Sequence, residues 1–351
     1  MDLFKIEHPI VLAPMAGAMD WELAAEAAEG GALGSLPCGM LTPEKIRDEV
    51  ARFRARTKKP INLNFFSHSP PLLNNAREAK WRERLAPYYR ELSVDPAAAA
   101  PQANRAPFDA AALQAVLDTR PEVVSFQYAL PDESLRAALR DAGVAIVGCA
   151  TTVAEARWLE KRGVAAIVAQ GFEAGGHRGM FLTTEIATQA GTFALVPQIA
   201  DAVKVPVIAA GAIADARGIA AAFALGAAGV QIGTAYLRCP ESKISGVHRA
   251  VLSAANDEAT VLTNVMSGRP ARGFITRIVR EIGPMSKDTP EFPLAAGALA
   301  PLRAKAEAAG SGDFSPLWSG QAAALGREIP ARELTKKLAA EAQERMRVLA
   351  G

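Results

Sequence analysis

The chain has 351 residues, 50% of them hydrophobic and 22% charged, and its 39 basic and 37 acidic residues leave a formal net charge of +2. That length can bury a large core, in one big domain or one with a smaller appendage, and the near-zero charge excludes an electrostatic case for nucleic acid or a membrane surface. Small neutral or anionic ligands fit better.

Cys38, Cys149 and Cys239 are far apart and form no CxxC pair, so neither a disulfide framework nor a zinc site is expected. The start, Met1-Asp2-Leu3-Phe4-Lys5-Ile6-Glu7, carries acids and no apolar leader, and no run reaches membrane length, so the expected location is the cytoplasm.

In chain order, β-rich runs ending in small residues recur at Pro9 to Met15, Gly31 to Leu36, Pro60 to Phe66, Val123 to Tyr128, Ala145 to Ala150, Ala165 to Gln170, Pro206 to Gly211 and Gly229 to Thr234. Between them lie stretches with helical spacing: Trp21 to Glu29, Pro43 to Arg56, Pro131 to Asp141, Thr152 to Lys161, Phe193 to Val203 and Ala214 to Leu225. Near-continuous apolar strands alternating with helices imply a parallel sheet covered on the outside. Eight such units, with no GxGxxG after the first strand, predict an α/β fold of the (β/α)₈ TIM-barrel type, whose strand ends face the active site.

Two segments break the rhythm. Ser67 to Pro107 holds Pro70, Pro71, Pro96, Pro101 and Pro107, the run Ala97 to Ala100 and a basic helix-like stretch at Ala76 to Arg84, and reads as an elaborated loop. From Cys239 to Gly326 no further strand is evident, while helical patches occur at Gly246 to Ala254 and Leu299 to Ala309. The expected organisation is a barrel over residues 1–238, a smaller, mostly helical insertion over 239–326 on the substrate side, and a helix over 327–351 that starts at Pro330 and closes the barrel.

The sixth strand opens into Gln170-Gly171-Phe172-Glu173-Ala174-Gly175-Gly176-His177-Arg178-Gly179. Glycines there let backbone N–H groups approach a flat or phosphorylated ligand, and His177 can titrate near neutrality. A histidine in such a loop can also be purely structural. Its position at a strand's C-terminal end favours a catalytic role.

The other strand ends are polar or small. Asn64, Gln170 and Gln231 are amides that both donate and accept, which suits an isoalloxazine edge. Gly211-Ala212 and Gly233-Thr234, after the seventh and eighth strands, occupy the usual phosphate pocket of this barrel. The set describes an FMN site. No metal constellation is expected, because His8, His68 and His248 are widely spaced and HExxH is absent; a serine triad lacks GxSxG. His248 reads as a surface or interface residue of the insertion.

The ordered set of Pro9 to Gly17, Asn62-Leu63-Asn64-Phe65-Phe66, Gln170 to Gly179, Ala210-Gly211-Ala212-Ile213, Gln231-Ile232-Gly233-Thr234, Ser267 to Gly273 and Leu317-Trp318-Ser319-Gly320-Gln321 resembles the nitronate monooxygenases. The resemblance implies that Ala13, Met15, Asn64, Gln170, Gly175, Gly176, Gly211, Ala212, Gln231, Gly233 and Thr234 contact FMN, with His177 as the catalytic histidine. It further implies oxidation of alkyl nitronates, such as propionate 3-nitronate, by O2 to carbonyl compounds and nitrite, a nitroalkane detoxification. Gln127, Tyr128 and Gln321 are the expected substrate-side residues.

Two departures stand out. Gln127 occupies the strand-four end where many members carry histidine; it can bond a nitro group but cannot titrate. The family's glycine pair is Gly211-Ala212 here, which keeps the same backbone donors if φ at Ala212 is negative. An FMN-dependent NAD(P)H:quinone or enoyl-thioester reductase on the same fold is the alternative activity, and a flavin- or phosphate-binding sensor the non-enzymatic one. A homo-oligomer is compatible with the sequence.

Overall fold

A computed structural model describes residues 2–97 and 105–351; Ala98, Ala99, Ala100 and Pro101 of the expected long loop lie outside these. The strands are β1 (Ile10–Leu12), β2 (Gly34–Pro37), β3 (Ile61–Phe66), β4 (Val123–Gln127), β5 (Ala145–Ala150), β6 (Ala166–Gln170), β7 (Gly176–His177), β8 (Val207–Ala210), β9 (Gly229–Ile232), β10 (Thr260–Thr263) and β11 (Ala271–Phe274). Eight of them, β1 to β6 with β8 and β9, pair in parallel in the order β1-β9-β8-β6-β5-β4-β3-β2. A bridge between Val11 and Leu33 brings β1 back to the start of β2 and nearly closes the cylinder. This is a TIM barrel.

The helices between the strands are α1 (Trp21–Glu29), α2 (Pro43–Arg56), α3 (Asn75–Glu91), α4 (Ala110–Thr119), α5 (Glu133–Asp141), α6 (Val153–Glu160), α7 (Thr192–Ala202) and α8 (Ala216–Ala224), followed by α9 (Thr234–Leu237), α10 (Gly246–Ser253), α11 (Arg277–Ile282), α12 (Ala295–Ala308) and α13 (Ala331–Ala350). Short polar side chains start many of them. Asp20, Thr42, Asn74, Asp109, Thr152, Asp215 and Ser245 each accept from a backbone N–H of the first turn, meeting donors that helix geometry leaves unpaired.

Strand alternation sorts the side chains. Leu63 and Phe65, Val124 and Phe126, Ile167 and Ala169, and Val230 and Ile232 join the core between barrel and helices. Val11, Leu33, Val123, Val147, Val168 and Ile208 fill the inside, with Phe4 packed among them. Because parity is fixed at two, the residues one step on, Asn64, Gln127, Gln170 and Gln231, point inward above that layer.

A second core lies outside the barrel. Trp81, Leu85, Tyr88 and Tyr89 of α3 pack against Val265, Met266, Ile278, Val279, Leu299, Leu302 and Phe314, and Tyr89 Oη donates to Ala298 O at 2.6 Å. The excursion after β3 is therefore a full helix, Asn75–Glu91, longer than the expected Ala76 to Arg84 stretch, and α12 needs it as a partner.

The expectation of no strand between Cys239 and Gly326 is corrected. β10 and β11 form an antiparallel pair there, and β11 also pairs with β7, matching Ala271 with His177 and Arg272 with Gly176. Thr260–Thr263 and Ala271–Phe274 are too short to show a convincing period alone. Among the described residues no helix is long and apolar enough to cross a membrane. All three cysteines are buried and free.

Candidate active site

The inward amides and the loops above them surround a cavity of about 320 Å³ at the C-terminal ends of the barrel strands. Ala13, Met15, Asn64, Gln127, Tyr128, Gln170, Gly175, Gly176, His177, Gly211, Ala212, Gln231, Gly233 and Thr234 all line it. Gln321 does not. Its side chain is exposed, and its backbone N–H donates to Glu173 O at 3.1 Å.

The His177 loop is held from three sides. Arg178 N–H donates to Pro270 O at 2.9 Å, extending the β7–β11 pairing. From below, Gln127 Nε2 and Gln170 Nε2 both donate to His177 O, at 3.1 and 3.0 Å, while Gln170 Oε1 accepts from Gly179 N–H at 2.7 Å. Gln170 thus clamps the loop that follows it. The Gln127 amide also serves the backbone of His177, a role its sequence position alone does not reveal.

Arg178 is fully buried without a carboxylate partner; its guanidinium donates to Gly171 O, to Gln170 O at 2.8 Å and to Gln189 Oε1 at 3.0 Å. Burial pushes this arginine down to about 10, which leaves it charged at neutral pH. It ties the end of β6 to the loop beyond His177.

His177 Nε2 lies 2.8 Å from Ser267 Oγ, and the Ser267 hydroxyl donates to Arg269 O at 3.3 Å. The tautomer in which Nε2–H donates to Oγ satisfies both contacts and leaves the lone pair on Nδ1. Aromatic rings enclose the imidazole: Trp318, Phe292 and Tyr128 have centroids 5.2, 5.3 and 6.4 Å away. Burial, then the Arg105 and Arg269 guanidiniums, hold His177 well below its ordinary value. The ring is neutral at pH 7.

Backbone geometry is unusual at two strand ends. Tyr128 and Ala129, after β4, have φ of 70° and 80°, and Ala212, after Gly211, has φ of 56°. The negative φ set as a condition at Ala212 is not met: the chain reverses after β8 in a left-handed turn, so Ala212 follows the backbone path that a second glycine would favour, with the residue still on the cavity wall and a Cβ where glycine is preferred. Non-glycine residues in this region cluster at binding sites, where the surrounding structure over-determines them.

His248 corrects a second expectation. It is buried rather than at the surface, lines the cavity, and packs edge-on to Phe274 at 6.2 Å. Trp318, from the Leu317 to Gln321 motif, also lines it, as do Arg105, Arg303 and Glu307, which no sequence pattern marked. Among the described residues Glu307 is the one carboxylate in the lining, and it is bound to Arg303 at 2.8 Å and to Ser315 at 2.6 Å. No group of three or more His, Cys, Asp or Glu converges among the described residues.

The family model for nitronate monooxygenase matches residues 1–341. The chain belongs to the nitronate monooxygenase family. It is 40% identical over 341 residues to the nitronate monooxygenase of Pseudomonas aeruginosa, covering 97% of each chain. Its structure is similar to nitroalkane oxidase from Streptomyces ansochromogenes, with a TM-score of 0.90, 37% identity, and coverage of 100% of this chain and 99% of that one. FabK from Thermotoga maritima is more distant, with a TM-score of 0.76 and 29% identity, covering 100% of this chain and 97% of that one. The nitronate monooxygenase family is a flavin-dependent class of oxidoreductases, so this chain is an enzyme of that class.

Proposed function

We propose that the enzyme binds FMN in this cavity and oxidises alkyl nitronates, propionate 3-nitronate among them, with O2 to carbonyl compounds and nitrite. The observation that carries this reading is the neutral His177 imidazole, ringed by Trp318, Phe292 and Tyr128, with its Nε2 2.8 Å from Ser267 Oγ.

The residues present fit a flavin. The volume lies within the roughly 300–1,000 Å³ usual for cofactor and ligand sites. Gly176, at φ +72°, has nothing within 4 Å of where a Cβ would sit, so its face is open to a flat ring. Gln231 offers an inward amide; Gln170 retains one N–H and one lone pair beyond its loop contacts. At the other end, Gly211-Ala212 and Gly233-Thr234 would hold the phosphate through backbone N–H groups and the Thr234 hydroxyl, whose oxygen accepts from Gly320 N–H at 2.9 Å and whose proton is free to donate. When bound, FMN supplies the electron-accepting chemistry.

The chain's own residues handle binding and protons. For a neutral nitroalkane, the lone pair on Nδ1 of His177 takes the α-proton. For a preformed nitronate, the same ring orients the planar N–O group. Phe292, Trp318 and Tyr128 exclude water around it.

Purified enzyme with propionate 3-nitronate should consume O2 and release nitrite without NAD(P)H. His177→Asn should lower turnover of the neutral nitroalkane by roughly 10²–10⁴-fold, the usual share of a general base, and spare the preformed nitronate more. Rapid anaerobic bleaching of the flavin by NAD(P)H, with no nitronate turnover, would reject this function in favour of a reductase.

A further inference from the structure

Two buried donors in the cavity wall have nothing to donate to. Tyr128 is 2% exposed and its hydroxyl lacks a partner, and Nε and Nη1 of Arg105 are buried and equally unmatched among the described residues. Both residues line the cavity. A buried donor left without an acceptor is costly, and a buried cation without a counter-charge more so.

One ring links them to the candidate base. The Phe292 centroid lies 5.6 Å from the Arg105 guanidinium carbon, 5.5 Å from the Tyr128 ring and 5.3 Å from the His177 ring. Charge is unbalanced here as well. Glu307 is committed to Arg303 and Ser315, residues 98–104 just before Arg105 contain no acid, and Arg269 adds a second guanidinium 4.0 Å over the Tyr128 ring. The cofactor phosphate does not explain this, because its candidate loops follow β8 and β9, whereas Arg105 and Tyr128 flank β4, which is separated from β8 by β5 and β6 in the sheet.

We infer that Arg105 and Tyr128 form an anion subsite that holds a carboxylate on the substrate remote from its nitronate, and that Arg105 sets the preference for acidic over uncharged nitroalkyl chains. The inference rests on the nitronate reading above. A guanidinium fork and a phenol O–H suit the two oxygens of a carboxylate.

Succinate is an unreactive probe of this geometry: one carboxylate mimics the planar, singly charged nitronate and the other is the remote acid. Butyrate has the same chain length and lacks the second charge. In titrations of the holoenzyme followed by the flavin visible spectrum, succinate should bind at least about tenfold more tightly than butyrate, and Arg105→Met should cut that advantage below about twofold. Arg105→Met should also lower the ratio of kcat/KM for propionate 3-nitronate over that for propyl-1-nitronate by about tenfold.

Equal binding of succinate and butyrate to the wild type overturns the inference, as does an Arg105→Met enzyme that keeps the preference. Tighter binding of ADP-ribose than of succinate, lost in Arg105→Met, also overturns it and assigns the anion to a dinucleotide phosphate. If Arg105→Met does not fold, the wild-type comparison and Tyr128→Phe, which should weaken succinate more than butyrate, decide the matter. If no nitronate is turned over, the function proposed above fails, while the succinate titration still reads the subsite.

Discussion

His177 Nε2 and Ser267 Oγ, 90 residues apart in the chain, meet at 2.8 Å. The serine is buried, and its hydroxyl is oriented by Arg269 O, so it fixes the tautomer and the angle of the imidazole. Ser267→Ala should lower kcat/KM about tenfold, the worth of one well-placed hydrogen bond, and should shift the pH profile of nitroalkane turnover. Steady-state kinetics across pH, with a melting curve to show an intact fold, check this.

Gly175 lines the cavity and has no room for a side chain. A Cβ there would lie 2.5 Å from Gly320 N and 2.6 Å from Ser319 C, both backbone atoms that cannot rotate away. Gly175→Ala should destabilise the enzyme by about 1–3 kcal/mol, as overpacking does, and reduce the flavin retained on purification. Thermal melts and the flavin-to-protein absorbance ratio measure both.

The left-handed Ala212 predicts a gain. Ala212→Gly removes the conformational cost of a Cβ at φ 56° and adds unfolded-state entropy, for a net stabilisation of about 0.5–1 kcal/mol. Chemical denaturation of the two proteins side by side tests the sign.

His68 and His248 set the acid limit of stability. Burial pushes each down to about 4, with the Arg269 and Arg105 guanidiniums adding to the shift at His68. The unfolded chain then binds protons that the folded one refuses, so stability is complete above about pH 6.5 and falls as pH drops toward 4, by on the order of 3 kcal/mol for each histidine at pH 4. Denaturation midpoints from pH 7 to 4 should fall steeply for the wild type and less steeply for His248→Asn.

The barrel and its inward strand-end amides were legible because they depend on local pattern. The eight apolar runs repeat a β/α rhythm with a fixed period, and strand parity sends Asn64, Gln170 and Gln231 inward wherever the apolar partners go outward. Other features carried no local signal. His248 sits in the ordinary helical sequence of α10, yet packing against Phe274 places it in the cavity wall. Arg105 follows a proline- and alanine-rich stretch that looks like loop. The strands β10 and β11 are four residues each and exist because they pair with one another and with β7.

The glycine-rich run around His177 shows the division most directly. By itself, the sequence determined that a titratable ring follows a buried strand on a backbone able to approach a ligand. Tertiary structure decided the register of this loop and which ring nitrogen meets a serine, because Ala271, Pro270, Ser267 and Gln127 reach it from distant parts of the chain. Contacts between residues so far apart depend on the closed barrel and the docked second core. No local period encodes them.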